Sequence, residues 1–333
     1  MRTITFFNNK GGVGKTTTVY HIAWMLSELG IKTIVVDLDP QSNLTSMFLS
    51  EQRLEEIYGE EEQKITILEA ITPIKNGDSF VPVHVEKLSE NLGLILGNLA
   101  LSTFEDTLSD AWLRCLNSDN YSFRITSLFK IIIDDAASRF DAEIVLIDVG
   151  PNLGAINRAV VITSDYLIMP VASDLFSLQG IKNIGKTLQH WKDQWLQRMN
   201  LKPSNLNFSI PQNSIRPSGY IVLQHSAKES RPVGSYLKWA NRIPKVFGEY
   251  ILKVQNNVAE TVENDKNCIA LLKHYRSLAP MSMEVRKPIF LLRPADGAIG
   301  AHVYAVQRSY DDFKNLTLNI LEKCPPIITT HIT

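Results

Sequence analysis

A glycine-rich segment near the start of the chain has the residue types that hold a chain of phosphates. Residues 10–17 read KGGVGKTT, a modified form of G-x-x-x-x-G-K-[ST], between a short apolar run and a stretch with helical spacing. Small glycines let successive backbone N–H groups close around phosphate oxygens, and the start of the helix adds its positive end. Lys15 would neutralise the β and γ phosphates, and the Thr16 hydroxyl would ligate magnesium. The residues predicted to bind nucleotide here are Lys10, Gly11, Gly12, Val13, Gly14, Lys15, Thr16 and Thr17.

Carboxylates follow or end two further apolar runs. Asp37 and Asp39 lie in the sequence DLDPQSN, and Asp148 ends a later run. Carboxylates at the C-terminal end of a strand face the ligand crevice of an open α/β sheet, where one can orient water towards a γ-phosphate and another can support magnesium through water. We predict that Asp148 supports magnesium, and spacing alone leaves open how Asp37 and Asp39 divide the two roles. The Asp-Pro sequence also suits a turn in which Ser42 or Asn43 caps the next helix.

The elements that position these residues alternate between apolar runs and helical stretches. The predicted strands are 3–8, 33–37, 143–148, 166–171 and 219–223. Helical stretches follow at 16–29, 154–163, 177–199 and near 235–253. Near-continuous apolar runs are typical of parallel strands covered on both faces, and strand–helix–strand units cross over with a right hand. The sequence therefore predicts an α/β fold, a doubly wound and mostly parallel sheet flanked by helices.

The 333 residues are predicted to form one domain, 1–333. It has a lateral acidic and helical insertion at about 50–140, with a weak strand pair around 81–85 and 92–96. A basic, less typical segment covers about 182–286.

Composition excludes several classes of protein. A 44% hydrophobic and 21% charged sequence with a net charge of −1 is neither disordered nor collagenous. Three scattered cysteines are too few for a disulfide framework or a zinc site. Since no run reaches the ~18 to 20 apolar residues that span a bilayer, we expect no membrane association and a cytoplasmic location.

Charge is divided unevenly along the chain. Residues 1–150 carry 12 Lys+Arg and 22 Asp+Glu, whereas residues 151–333 carry 22 and 13. Most of the positive excess lies in 182–253, where tryptophans and tyrosines are interspersed with the cations. This stretch fits either binding of DNA phosphates without reading sequence or a solvated helix face whose tryptophans belong to the core. The candidate DNA-binding residues are Arg216, Lys228, Arg231, Lys238, Arg242 and Lys245.

These motifs resemble the ParA/MinD superfamily of deviant Walker A P-loop ATPases, whose loop pattern is K-G-G-x-G-K-[ST]-[ST]. The sequence D-x-D-P-Q-x-N is similar to the first switch of the ParA branch, which partitions plasmids and chromosomes. The resemblance is strong in 3–48 and 143–180 and weaker in the rest of the chain. Residues 148–154 correspond to the second switch of the family, although Gly150 and Asn152 depart from its usual D-x-P-P-S-x-G, and Gly150 would loosen it.

The resemblance implies roles for individual residues. Lys10 would be the signature lysine, which reaches across a dimer to the phosphates bound by the other subunit. Asp39 would position the attacking water, and the loop near Pro280 would line the adenine. The implied catalytic residues are Lys10, Lys15 and Asp39, and the implied magnesium residues are Thr16, Asp37 and Asp148.

The resemblance also implies partners. ATP and Mg²⁺ would be sandwiched in a homodimer that binds double-stranded DNA nonspecifically and hydrolyses ATP slowly. A ParB-like protein would stimulate hydrolysis, and the ATP-bound form would associate with the nucleoid.

Three alternative functions remain open. A MinD-like protein would place a complex at a membrane through a basic amphipathic C-terminal helix, but here residues 316–323 precede Cys-Pro-Pro and an uncharged tail. A metabolic or kinase enzyme needs an acceptor pocket, and Lys10 and the DLDPQ sequence argue against it. A regulatory ATPase of an accessory operon would localise a protein complex without binding DNA.

Overall fold

The strands assemble into one twisted layer. The computed structural model describes residues 1–59, 64–212, 215–223, 233–254 and 259–327. The strands are β1 (Arg2–Phe6), β2 (Thr33–Leu38), β3 (Glu86–Lys87), β4 (Leu92–Ile95), β5 (Ile144–Val149), β6 (Tyr166–Ala172), β7 (Arg216–Leu223) and β8 (Cys268–Leu272). Within those ranges they form an eight-stranded sheet in the order β3-β4-β2-β5-β1-β6-β7-β8. Neighbouring strands run parallel except β3 and β4.

Helices cover both faces of this sheet. They are α1 (Lys15–Glu28), α2 (Asn43–Phe48), α3 (Glu51–Tyr58), α4 (Ile67–Asn76), α5 (Glu105–Arg114), α6 (Asn120–Thr126), α7 (Leu128–Phe140), α8 (Ala155–Thr163), α9 (Leu175–Met199), α10 (Val233–Ala240), α11 (Ile243–Phe247), α12 (Leu278–Val285) and α13 (Ala301–Lys323). One hydrophobic core lies under α1, α2, α3 and α13. The other lies under α4, α5, α7, α8, α9 and α11. The predicted α/β fold, doubly wound and mostly parallel, is confirmed.

The two cores follow from the alternation of side chains along buried strands. In β5, Ile144 and Leu146 belong to one core, whereas Val145 and Ile147 belong to the other. Successive side chains of a strand point to opposite faces, so a strand covered on both sides must be apolar at nearly every position. This is why the central strands appear in the sequence as continuous apolar runs.

The segment 50–140 contributes directly to this architecture. Its strand β4 pairs with β2, and its helices α4, α5 and α7 pack over the sheet. The predicted strand pair is present as β3 and β4, but the placement of its first strand at 81–85 is wrong, because this stretch is irregular and β3 covers only Glu86–Lys87. Pro82 lies inside the predicted stretch and lacks the N–H that a sheet ladder needs.

The helical stretch predicted near 235–253 is interrupted. Helix α10 ends at Ala240, α11 begins at Ile243, and residues 248–252 form a π-helical turn. Pro244 occupies the first turn of α11, where a missing N–H leaves no intrahelical bond unmade. The proline therefore starts a new helix instead of continuing the first one. No helix in the described ranges is both long and apolar enough to cross a bilayer.

Candidate nucleotide-binding site

The carboxyl edge of the sheet brings the sequence motifs together. In the register of the parallel strands, Phe6 of β1 lies beside Asp148 of β5, and Asp148 lies beside Asp37 of β2. Adjacent strands are ~4.8 Å apart, so these three positions form one row. The glycine loop begins a few residues after Phe6 and ends at Lys15, the first residue of α1. The loop and both carboxylates therefore share one edge of the molecule.

The glycines give the loop its shape. Gly12 and Gly14 have φ angles of 70° and 74°, in the left-handed region where a side chain is strained. Gly14 forms the N-cap of α1, and a Cβ built there would lie 2.9 Å from Cδ1 of Leu223 at the end of β7. Gly11 and Gly12 are exposed at the surface, while Val13 is buried and anchors the loop. Backbone N–H groups at such a helix start form a ready site for anions.

Lys15 and Thr16 meet the carboxylate of Asp148. Lys15 is only 7% exposed, and this burial lowers the pKa of its ammonium, while the charges of Asp148 and Asp39 act in the opposite direction. Thr16 donates a hydrogen bond from Oγ1 to Oδ2 of Asp148, at 2.7 Å. A buried cation at a helix start would be stabilised further by the charge of a phosphate.

Asp148 has the features of a residue that supports a metal ion. It is fully buried, and burial together with the charge of Asp37 raises the pKa of its carboxyl. Its second oxygen, Oδ1, is buried without a hydrogen-bond partner among the described residues. Buried carboxylate oxygens are expected to be satisfied, and Mg²⁺ prefers oxygen ligands and retains several waters. The carboxylate of Asp148 and the hydroxyl of Thr16 therefore fit a magnesium ion held partly through water.

Asp37 instead caps the helix that follows it. Its Oδ2 accepts hydrogen bonds from the backbone N–H of Thr45 (2.8 Å) and from Oγ1 of Thr45 (2.7 Å), and Oδ1 accepts one from the Asp39 N–H (3.3 Å). Ser42 is at the N-cap position of α2, as predicted, but its φ of 50° leaves its hydroxyl without a capping bond. The predicted side-chain cap by Ser42 or Asn43 is wrong, and Asp37 supplies the bond from the sheet.

Asp39 faces the segment that follows β5. It is 6% exposed, and its Oδ1 accepts a hydrogen bond from the N–H of Gln41 at 3.0 Å. A Cβ built at Gly150 would lie 3.3 Å from the same oxygen, so the two segments are in close contact. On the other side of the segment, Asn157 of α8 donates from Nδ2 to the carbonyl oxygens of Gly150 and Asn152, both at 2.7 Å.

Lys10 pairs with a carboxylate of its own chain. Its Nζ lies 2.5 Å from Oδ2 of Asp174, and its backbone N–H donates to Oδ1 of Asn8 at 2.9 Å. Asp174 also caps α9 by accepting from the N–H of Ser177. Burial alone would raise the pKa of its carboxyl, but the bonds from Lys10 and Ser177 together outweigh burial and lower it. Neither Asp174 nor Asn157 was predicted from the sequence. An acidic residue just before a helix was the only signal for Asp174, and nothing in the sequence distinguishes Asn157.

Pro280 is the third residue of α12, and it is exposed. Other residues of α12 line a cavity of about 200 Å³ with residues of α1 and α2. The cavity is lined by Tyr20, Ser46, Met47, Ser282, Met283 and Arg286.

The basic candidates separate into two places. Lys238, Arg242 and Lys245 are exposed on and between α10 and α11, and the first two lie over the ring of Trp239, 5.6 and 4.8 Å from its centroid. Arg216 is exposed at the first residue of β7, on the amino edge of the sheet. Lys228 and Arg231 lie outside the described residues.

Comparison with known proteins identifies relatives for most of this architecture. A family model described as an AAA domain (AAA_31) matches residues 1–202, well over half of the chain. An uncharacterized protein of Methanocaldococcus jannaschii is 29% identical over 232 residues, covering 70% of this chain and 76% of that protein. The chromosome partitioning protein ParA of Myxococcus xanthus is 27% identical over 187 residues, covering 56% of this chain and 58% of that protein. The chain spans about half the length of other curated relatives that it matches.

A solved structure extends the likeness to the whole fold. The crystal structure of a putative plasmid partition protein from Borrelia burgdorferi B31, bound to AMPPNP, superposes with a TM-score of 0.60. The superposition covers 97% of this chain and 99% of that one, at 18% sequence identity. At that identity the likeness concerns the fold, so functional conclusions depend on the residues of this chain.

Proposed function

This chain belongs to the AAA_31 family, in the ParA branch of the ParA/MinD superfamily of P-loop ATPases, and on that premise we propose that it is an ATP-driven partition protein. It binds ATP and Mg²⁺ at residues 10–17, dimerises around the nucleotide, binds DNA nonspecifically and hydrolyses ATP slowly. The whole chain, 1–333, acts as one domain, including the segments 50–140 and 182–286.

The observation that carries the proposal is the arrangement of Lys15, Thr16 and Asp148. A buried lysine, a hydroxyl and a half-satisfied carboxylate lie together at a glycine loop that opens a helix. Lys15 would neutralise the terminal phosphates, while the backbone N–H groups of the loop bind their oxygens. Magnesium held by Thr16 and Asp148, with Asp37 behind them, would supply charge neutralisation at the β and γ phosphates.

Hydrolysis is assigned to Asp39. Its carboxylate lies at the same edge as the loop and against Gly150 of the second switch. A carboxylate there can accept a hydrogen bond from water and orient it towards the γ-phosphate. Because the side chain is held by a single described hydrogen bond, from the Gln41 N–H, it retains lone pairs for that water.

Lys10 connects the site to a second copy of the chain. In the family its counterpart reaches the phosphates of the other subunit, whereas here Lys10 is paired with Asp174. The proposed dimer therefore requires Lys10 to exchange Asp174 for a phosphate of its partner. A phosphate carries more charge than one carboxylate, which favours the exchange only when nucleotide is bound.

DNA binding is assigned to the exposed cations Lys238, Arg242 and Lys245, with Arg216 and the undescribed Lys228 and Arg231 as further candidates. Cations of this kind bind phosphates without reading sequence. We further propose a ParB-like activator and a cytoplasmic location, with association to the nucleoid when ATP is bound. A regulatory ATPase that localises a protein complex without DNA is the alternative, and DNA-binding assays separate the two.

The nucleotide-binding part is tested by titrating a fluorescent ATP analogue into wild type, Lys15→Gln and the control Lys32→Gln. Lys32 is a half-exposed lysine paired with Asp141, and it lies just before β2 at the amino edge of the sheet, whereas the loop lies at the carboxyl edge. We expect Lys15→Gln to lose affinity by at least about tenfold and Lys32→Gln to bind as wild type. Equal affinity in all three proteins would contradict the assignment of the site.

A further inference from the structure

Glu105, the first residue of α5, caps a different helix. Its Oε2 accepts hydrogen bonds from the backbone N–H groups of Ala155 (2.5 Å) and Ile156 (3.3 Å), the first two residues of α8. Gly154 provides no capping side chain for α8. The carboxylate thus satisfies two amides that a helix leaves unpaired at its start, and it places negative charge at the positive end of the helix.

The second switch is built around this contact. A Cβ built at Gly154 would lie 2.6 Å from Oε1 of Glu105, so the carboxylate occupies the space where a side chain would be. Asn152 accepts from the Gly154 N–H at 2.9 Å, and Asn157 binds the carbonyl oxygens of Gly150 and Asn152. Hydrogen bonds therefore link Gly150 and Asn152 to the first turn of α8, whose amides Glu105 holds.

A second contact fixes α5 against α8 independently. The ring of Trp112, near the end of α5, contacts two guanidinium groups, 4.3 Å from Arg158 of α8 and 4.4 Å from Arg198 of α9. Trp112 also stacks on Trp195 with 5.6 Å between ring centroids. The two helices are thus joined near both ends of α5, and Glu105 forms the end that faces the second switch.

Few contacts separate Glu105 from Asp39. The carboxylate holds the start of α8, the preceding segment reaches back to Gly150, and Gly150 lies against Oδ1 of Asp39. The segment also approaches the glycine loop, since a Cβ built at Gly11 would lie 3.9 Å from Pro151. A shift at the start of α8 would therefore move the surroundings of Asp39 without touching Lys15 or Thr16.

We infer that Glu105 is a positioning residue for ATP hydrolysis, which fixes the second switch against Asp39 through the start of α8. This inference rests on the proposed ATPase function. Glu105 supports the geometry of the attack and makes no contact with nucleotide, so its loss should lower the turnover number and leave nucleotide affinity nearly unchanged. For a group that only stabilised the fold, reversible unfolding would instead weaken the apparent nucleotide affinity and leave kcat at saturating ATP unchanged, because nucleotide binds only the folded state.

The test compares Glu105→Ala and Glu105→Gln with Asp106→Ala. Both acids lie in the first turn of α5, so each removal costs that helix one favourable charge, but Asp106 is exposed. We expect Glu105→Ala to lower kcat by about tenfold or more, with KM and the ATP dissociation constant within about twofold of wild type. Glu105→Gln keeps an acceptor for the two amides and should recover part of kcat, and Asp106→Ala should match wild type.

Hydrogen exchange supplies a readout that does not need turnover. The amides of Ala155 and Ile156 should exchange faster in Glu105→Ala than in Asp106→Ala, while the amides of β5 keep their protection. If Glu105→Ala fails to fold, Glu105→Gln carries the same comparison.

Two results would overturn the inference. One is a kcat of Glu105→Ala equal to that of Asp106→Ala even though the amides of 155–156 exchange faster in Glu105→Ala. The other is an exchange rate of these amides that is the same in both variants. An absence of ATP turnover in the wild-type protein, with the exchange difference present, would instead refute the proposed function and leave the structural cap in place.

Discussion

Two left-handed glycines at opposite ends of α1 allow the phosphate loop to be tested against a matched control. Gly14 begins α1 with a φ of 74°, and Gly30 follows its end with a φ of 75°. Alanine at either position meets the same backbone strain, about 1 to 2 kcal/mol. Their surroundings differ, because a Cβ at Gly14 would lie 2.9 Å from Leu223, whereas nothing lies within 4 Å of one at Gly30.

The strain gives a comparable loss of stability in both variants. Unfolding entropy is about 2.1 cal/mol/K per residue, or ~0.7 kcal/mol/K for a chain of 333 residues. A loss of 1 to 2 kcal/mol therefore lowers Tm by about 1.5 to 3 °C in Gly30→Ala. Gly14→Ala should lose slightly more, because Leu223 must move by several tenths of an ångström.

Nucleotide affinity should separate the two variants. Relief of strain at residue 14 rotates the peptide that carries the N–H of Lys15, and this N–H belongs to the loop that binds phosphate. We expect Gly14→Ala to bind ATP at least about tenfold more weakly, equivalent to ~1.4 kcal/mol, and Gly30→Ala to bind as wild type. Calorimetry and titration with a fluorescent ATP analogue measure the two quantities. Equal ATP affinity in Gly14→Ala and Gly30→Ala would refute the assignment of the loop.

Three further predictions concern the dimer, hydrolysis and acid stability. Lys10→Ala should keep ATP binding by the monomer but weaken the ATP dimer, and unchanged dimerisation in analytical ultracentrifugation would remove its cross-subunit role. Asp39→Ala should trap a long-lived ATP dimer, so wild-type turnover in that variant would refute the water-positioning role. Burial lowers the pKa of His21 to about 4, and its Nε2 accepts from the N–H of Ile289, so the folded state requires neutral imidazole. The contribution of His21 to stability should therefore fall as the pH drops below its unfolded pKa of ~6.5, by about 1.4 kcal/mol between pH 7.5 and 5.5, and denaturant titrations measure it as the difference between wild type and His21→Gln.

Local patterns predicted the central sheet well. The loop at 10–17 and the runs ending near Asp37 and Asp148 carry strong short-range signals, and the structure brings them to one edge as the parallel register requires. Strand β8 and helix α12 were not predicted. Strand β8 lies at the end of the sheet, is only partly buried, and shows no distinct alternation over its five residues. Periodicity also merged α10 and α11, although Pro244 marked the break.

The supporting residues of the site could not be predicted, because their roles depend on contacts between distant segments. Asp37 resembles a metal ligand in the sequence, and only the position of Thr45 shows that it caps α2. Glu105 resembles an ordinary first-turn acid of α5, yet it caps a helix 50 residues further along the chain. Lys10 was identified by its pattern, but its pairing with Asp174 depends on the neighbouring positions of β1 and β6.

The central claim is a nucleotide-controlled switch in DNA affinity, and equilibrium binding to random-sequence duplex DNA tests it most directly. Binding is measured with ATP, with ADP and without nucleotide, over a range of salt concentrations. We expect binding only with ATP. The slope of log K against log salt should be about −5, since each of two protomers contributes three exposed cations, Lys238, Arg242 and Lys245. Equal binding in all three nucleotide states, or no binding while the ATP dimer forms, would contradict the account.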